Sequence, residues 1–282
     1  VSEAGLYAGP ICDAHLHAWR YDAATYPWLA AAEAVPLRRD WTRADYRAAL
    51  AGLDVRASVW VEALAVDPLA EAKAAQAMAT ADFATALVAH APLDAPDLAR
   101  RLAALRDLPG LRGIRDIVAP GFARRADLLG TAAFARGLAI LAEAGLVFDL
   151  LLEPGQMLQA ADLIRRLPGL QVVLEHAGTP GDAEAWEPGI TALAALPNVA
   201  VKLSALHCRV PGWTDASLAR LIGQILTLFG PERVMAASDW PAHDRHVPLA
   251  RSFLTLRRAL RGWPEPAQRA VFHDTARRIY RI

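Results

Sequence analysis

Eight short apolar runs, each followed by a stretch of helical spacing, set the pattern of this 282-residue chain. The runs span 11–17, 56–63, 85–92, 111–117, 146–152, 171–178, 198–206 and 233–241. Several are apolar without a break ("LVFDLLL", "QVVLE", "NVAVKLS"), as strands covered on both faces must be. Between them, Tyr46, Ala49, Leu50 and Leu53 fall at helical spacing behind a Thr42–Asp45 capping pattern. Asp67–Pro68 reads as an N-cap with proline in the first turn, Gly145 as a helix stop, and Thr214 as a further N-cap. "LPG" or "LPN" recurs at 108–110, 167–169 and 196–198, each time just before a strand. Strict strand–helix alternation eight times over predicts an α/β fold, a single (β/α)8 TIM barrel over residues 1–282. An open doubly wound sheet is the alternative. The stretch 20–39, with "TYPWL", is too long for a simple connection and predicts an ordered excursion over the barrel mouth. "PAQRAVFHDTARRIY" predicts an extra C-terminal helix.

Apolar residues make up 54% of the chain, enough for one large core, and the formal net charge is zero. A balanced charge with dispersed arginines argues against nucleic acid as a partner. No apolar stretch is long enough to span a bilayer, and no leader pattern opens the chain. The expectation is a cytoplasmic protein with a small-molecule substrate, as a monomer or homodimer. Its two cysteines, Cys12 and Cys208, form no disulfide framework.

Chemistry concentrates where the apolar runs end. In "ICDAHLHAW", strand alternation predicts Asp13, His15 and His17 on one face, spaced by about 6.6 Å. Strand six ends "LEHAG" with His176, and strand eight ends "ASDWP" with Asp239. Strand four ends "GIRDI" with Arg115 and Asp116, and strand seven carries Lys202 and Ser204. The C-terminal ends of barrel strands are where barrel active sites lie. Closing the barrel would bring strand eight beside strand one, and Asp239 to His15 and His17. Imidazoles and a carboxylate suit zinc or a similar divalent ion. The same groups could polarise a carbonyl and activate water with no metal. Among the tryptophans near the mouth, Trp28 and Trp240 are candidates for stacking on a ring; packing is the commoner role.

The pieces "DAHLHAW", "YPWL", "LRRDW", "LRGIRDI", "FDLLLEPGQM", "VLEHAGTP", "LPNVAVKLSAL", "FGPERVMAASDWP" and "AVFHDTARRIYRI" resemble, in order, the amidohydrolase superfamily. The resemblance is to its lactonase branch, which holds the L-fuconolactonases and the 2-pyrone-4,6-dicarboxylate lactonases. It implies hydrolysis of a sugar lactone or related cyclic ester. Asp239 would be the general base. His15, His17 and His176, with Asp239, would hold a single divalent metal, zinc first, or would polarise the carbonyl with none required. Arg115 would contact the substrate. A two-metal site is not expected, because strand five offers only Asp149 and Glu153. Departures from the family wording place Asp116, Glu62 and Glu153 near the mouth as added carboxylates, and so predict a substrate less anionic than the family's, or even cationic or hydroxyl-rich. Asp116 and Glu62 join Arg115 as candidate substrate contacts. Lys202 is expected in a salt bridge at the mouth. Two other functions compete: a metal-dependent decarboxylase, and a non-catalytic sugar-acid binder.

Overall fold

The computed structural model describes residues 5–122, 125 and 127–282. Eight strands lie in sequential order: β1 (Ile11–Leu16), β2 (Val55–Val61), β3 (Ala86–His90), β4 (Leu111–Arg115), β5 (Val147–Leu150), β6 (Val172–Leu174), β7 (Val199–Leu203) and β8 (Val234–Ala236). Every neighbouring pair is parallel. The last strand returns to the first through a parallel bridge between Leu16 and Trp240. There the Asp239 N–H donates to the His15 carbonyl at 2.8 Å, and the His17 N–H to the Trp240 carbonyl at 2.7 Å. The sheet is a barrel, not the open alternative.

Helices α1 (Arg43–Ala49), α2 (Pro68–Met78), α3 (Leu98–Arg106), α4 (Ala132–Ala144), α5 (Met157–Ile164), α6 (Ala183–Ala194), α7 (Leu206–Arg209), α8 (Asp215–Phe229) and α9 (Leu249–Ala259) follow the strands. The expected caps are present. Thr42 and Asp45 form a reciprocal capping box on α1, Asp67 accepts from the Leu69 and Ala70 amides, and Gly145 ends α4 at φ 64°.

Two apolar layers follow from strand alternation. Ile11, Leu16, Trp60, Leu87, Ile114, Phe148 and their equivalents pack outward under the helices. Cys12, Ala14, Val59, Val61, Val88, Val147, Val173, Ala200 and Met235 fill the lumen. The C-terminal helix over 265–280 presents Ala276, Ile279 and Tyr280 to that inner cluster and floors the barrel. The excursion over 20–39 is ordered, as two 3-10 turns, Pro27–Ala30 and Ala32–Leu37, tied at its base by a Trp19–Trp41 bridge. Among the described residues, no helix is long and apolar enough to cross a membrane.

One expectation fails for a clear reason. Asp13 does not share a face with His15 and His17. Asp13 pairs with Ser58 and Leu16 with Trp60, so β1 uses three steps where β2 uses two. This bulge flips the parity of the strand. Asp13 turns toward α1 and β8, while His15 and His17 turn inward.

Candidate active site

The strands stop earlier than the sequence predicts, because the site residues lie where the chain leaves the ladder. β8 ends at Ala236, and Asp239 then adopts a left-handed backbone at φ 58°. β6 ends at Leu174, and His176, Ala177 and Thr179 all have φ between 51° and 54°. Such conformations cost free energy for residues with a Cβ and are held only by their surroundings. For Asp239 that hold includes its N–H on the His15 carbonyl and its carbonyl accepting from the His243 N–H at 2.9 Å. Gly178, at φ 69°, cannot be replaced freely, since a Cβ there would sit 2.0 Å from the Met157 methyl.

His15, His17, His176 and Asp239 converge at the C-terminal mouth and are all buried. Three atoms form a near-equilateral triangle. His15 Nε2 and His17 Nε2 are 3.1 Å apart, and Asp239 Oδ1 lies 3.5 Å and 3.4 Å from them. The His17 Nδ1–H donates to the Val61 carbonyl at 2.8 Å, which leaves Nε2 bare in the neutral ring. Burial, then the nearby Lys202 ammonium, push the His15 pKa well below the ordinary imidazole value. Burial likewise takes His176 down to about 3. Burial alone would raise Asp239, but the His176 and His17 rings and the His17 hydrogen bond outweigh it and keep the carboxyl below its ordinary range. The site therefore presents the neutral imidazoles of His15 and His176 beside an ionised carboxylate. His176 stands just outside the triangle, with Nδ1 2.8 Å from Ser204 Oγ.

The donor set fits a divalent ion. Tetrahedral zinc with bonds of about 2.0–2.1 Å holds its ligands about 3.3 Å apart, the spacing of the triangle. A second observation agrees. Glu175 Oε1 is buried with no hydrogen-bond partner, 3.3 Å from His15 Nδ1. A metal-bound imidazole donates its other N–H to such a carboxylate. His15, Glu175 and His176 also lie within metal-ligand reach of one another.

Beneath the triangle lies a layer of charge. Arg115 Nε donates to Glu62 Oε1 at 2.6 Å, and its Nη1 to Glu175 Oε2 at 3.1 Å. Lys202 donates to Asp149 and stands 3.4 Å from His15 Nδ1 and 3.8 Å from Glu175 Oε1. The Tyr280 hydroxyl, from the barrel floor, donates to Asp149 Oδ1 at 2.8 Å.

A cavity of about 380 Å³ opens above this layer, lined by His17, His176, Asp239, Arg115 and Trp28 among others. Four sequence expectations are corrected here. Asp116 is one residue out of phase with Arg115 along β4, does not line the cavity, and accepts from the Leu93 amide at 2.8 Å. Glu62 is fully buried, with one oxygen on Arg115 and the other on the Leu64 amide at 2.7 Å, and does not line the cavity. Trp240 is buried between Trp41 and Tyr46 and is a packing residue. Lys202 forms its salt bridge inside the lumen and not at the mouth. Glu153 caps the turn at Pro154–Gln156. Glu175, whose Oε1 faces His15 without a hydrogen-bond partner, was not singled out from sequence. Alternation from the lumen residue Val173 is the signal that points to it.

The model of the family described as Amidohydrolase matches residues 12–282. An L-fucono-1,5-lactonase from Burkholderia multivorans (strain ATCC 17616 / 249) is 34% identical over 96% of this chain and 95% of its own length. A crystal structure of an amidohydrolase from Burkholderia multivorans with bound HEPES superimposes with a TM-score of 0.87 at 29% identity, covering 97% of this chain and all of that one. A second crystal form of it, with bound zinc, gives 0.86 at 28% identity, over the same shares of the two chains. With the barrel, the strand-end residues and the family model in agreement, the chain belongs to the amidohydrolase family.

Proposed function

We propose that the protein opens a lactone ring by attack of water on the ester carbonyl, with Asp239 as general base. The observation that carries this reading is the triangle of His15, His17 and Asp239 at the inner end of the cavity. The named lactonase relative and the zinc-bound structure support it.

His15, His17 and Asp239 would hold a divalent ion such as zinc, with His176 beside them. When bound, that ion polarises the carbonyl and makes water more acidic. The chain's own groups supply the rest. Asp239 is ionised and takes a proton from the attacking water. The water oxygen bonds to the carbonyl carbon, the ring C–O bond breaks, and the proton passes to the departing ring oxygen. His176 is neutral; with Ser204 donating to its Nδ1, its Nε2–H is a donor for oxygen charge as it develops. The barrel, excursion and terminal helix act as one unit, and all of these residues come from one chain, so the reading fits a monomer or a homodimer.

Acid release from a panel of lactones, L-fucono-1,5-lactone included, read with a pH indicator in the presence of zinc, tests this. Wild type should turn over at least one member. Asp239→Asn should lower kcat by about 10²- to 10⁴-fold, since an amide accepts no proton at neutral pH. Near-normal turnover in the Asn variant would overturn the assignment of the base.

A further inference from the structure

Next to Asp239 lies a buried polar cluster to which the proposed reaction gives no role. His207, on α7, and His243, in the turn after β8, are both buried, and their rings meet with His207 Nδ1 3.2 Å from His243 Nε2. His207 Nε2 stands 3.0 Å from Thr255 Oγ1 on α9. Trp213 sets its ring edge-on to His207, with centroids 4.6 Å apart. The segment after β7, the turn after β8 and α9 thus meet at one pair of imidazoles.

Chemistry fixes the direction of each hydrogen bond in the cluster. The Thr255 hydroxyl donates to the Arg251 carbonyl at 3.1 Å, so its oxygen accepts from the His207 Nε2–H. Burial takes both imidazoles down to about 4, and a neutral ring holds one proton. His207 Nδ1 is therefore bare and accepts from the His243 Nε2–H. That leaves His243 Nδ1 as a bare acceptor, buried and without a partner among the described residues. Ser252 Oγ, on α9, is likewise buried without a partner among them. Both residues line one cavity of about 10 Å³, room for a single water and for nothing larger. Such a water would donate to His243 Nδ1 and accept from the Ser252 hydroxyl.

We propose that His243 is a positioning residue for Asp239, held on one ring nitrogen by His207 and on the other by a single buried water shared with Ser252. Its effect on turnover rests on the lactonase reading; its effect on the geometry of the triangle does not. The His243 N–H donates to the Asp239 carbonyl at 2.9 Å. That bond helps to hold the left-handed backbone, at φ 58°, which carries the carboxylate to His15 and His17. A conformation of this kind persists only while its surroundings fix it. With its imidazole tied to α7 and, through the water, to α9, His243 anchors the far end of the turn that begins at Asp239. An apolar side chain in its place would fill the space, untether the turn and leave the buried His207 Nδ1 without its donor.

Two pairs of variants test this on zinc-loaded enzyme with the best lactone of the panel. His243→Gln puts an amide N–H where the ring Nε2–H stood and still donates to His207, whereas His243→Leu cannot. The Leu variant should lose about 10- to 100-fold in kcat with KM within about threefold of wild type. The Gln variant should stay within about threefold in both. His207→Asn, whose Oδ1 takes the place of Nδ1, and His207→Leu should divide in the same way from the other side of the bond, which covers the case of a His243 variant that does not fold. A role in stability alone would move urea midpoints and leave kcat unchanged. A wild-type kcat in both Leu variants, or an equal loss in each Leu variant and its polar counterpart, would overturn the proposal. Crystal structures decide the matter apart from turnover. Wild type should show one water within hydrogen-bond distance of His243 Nδ1 and Ser252 Oγ. Asp239 Oδ1 should leave the triangle in His243→Leu and return to it in His243→Gln. A dry cavity, or an unmoved Asp239 in the Leu variant, would overturn the positioning role whatever reaction the protein catalyses.

Discussion

Lys202 shows how much a buried charge depends on its setting. Its ammonium is fully buried, bonded to Asp149, and stands within 3.8 Å of both His15 and Glu175. Removing one partner of such a pair strands the other charge in the lumen. Lys202→Met should therefore destabilise the protein by about 3–5 kcal/mol. Replacing both partners, Lys202→Met with Asp149→Leu, should recover part of that loss. Urea unfolding of both variants checks this; a single variant as stable as wild type would mean that the pair contributes nothing. The same layer explains why Arg115, the most obvious cation in the strand-end pattern, is a poor candidate for an anion receptor. Its charge is already matched by Glu62 and Glu175.

Among the elements, helix starts were the most legible parts of the sequence, because a cap is a local hydrogen-bond pattern. On α1, Thr42 and Asp45 bond reciprocally, and Arg39 reaches Asp45 at 2.8 Å. Hydrogen bonds from Thr42 and Arg39 hold the Asp45 pKa at about 2. A carboxyl lowered on folding contributes stability above its unfolded pKa of about 3.9, and loses it as pH falls toward 2. Asp45→Asn should cost about 1 kcal/mol at pH 7, a figure discounted for partial exposure. The gap from wild type should shrink as pH is lowered from 5 to 3. Urea midpoints across that range provide the measurement, and a gap that grows on acidification would contradict the capping account. Strand ends were less legible. β6 and β8 stop early because His176 and Asp239 leave the ladder in left-handed conformations, which strand propensity does not encode.

On the scale of the barrel, Asp13 is the latch. Its carboxylate accepts from the Ser238 N–H at 2.8 Å, from Ser238 Oγ at 2.6 Å and from the Tyr46 hydroxyl at 2.8 Å. It thus joins β1 to the residues after β8 and to α1, at the seam where the barrel closes. Asp13→Ala would leave these buried donors without an acceptor, each a loss of about 1–3 kcal/mol. The expected result is destabilisation of about 3 kcal/mol or more, with turnover lost in parallel because the seam sets His15 against Asp239. A variant within about 1 kcal/mol of wild type in urea would show that closure rests elsewhere.

The eightfold alternation, the helix caps, and the four strand-end residues His15, His17, His176 and Asp239 were all readable from the chain, because each is a local signal: a period, a cap, or a polar group that ends an apolar run. What the side chains of the "ICDAHLHAW" stretch do was not. One extra residue in β1 sends Asp13 outward to the seam and both histidines inward, and strand periodicity has no term for a bulge. The partners of the mouth carboxylates were equally hidden. Glu62 meets Arg115 across 53 residues, Lys202 meets Asp149 across 53, and Ser238 meets Asp13 across 225. Those pairings arise from strand stagger and ring closure, which bring distant strand ends into one low-dielectric lumen where no charge is left unmatched cheaply. Closure decided which acids were consumed in holding the barrel.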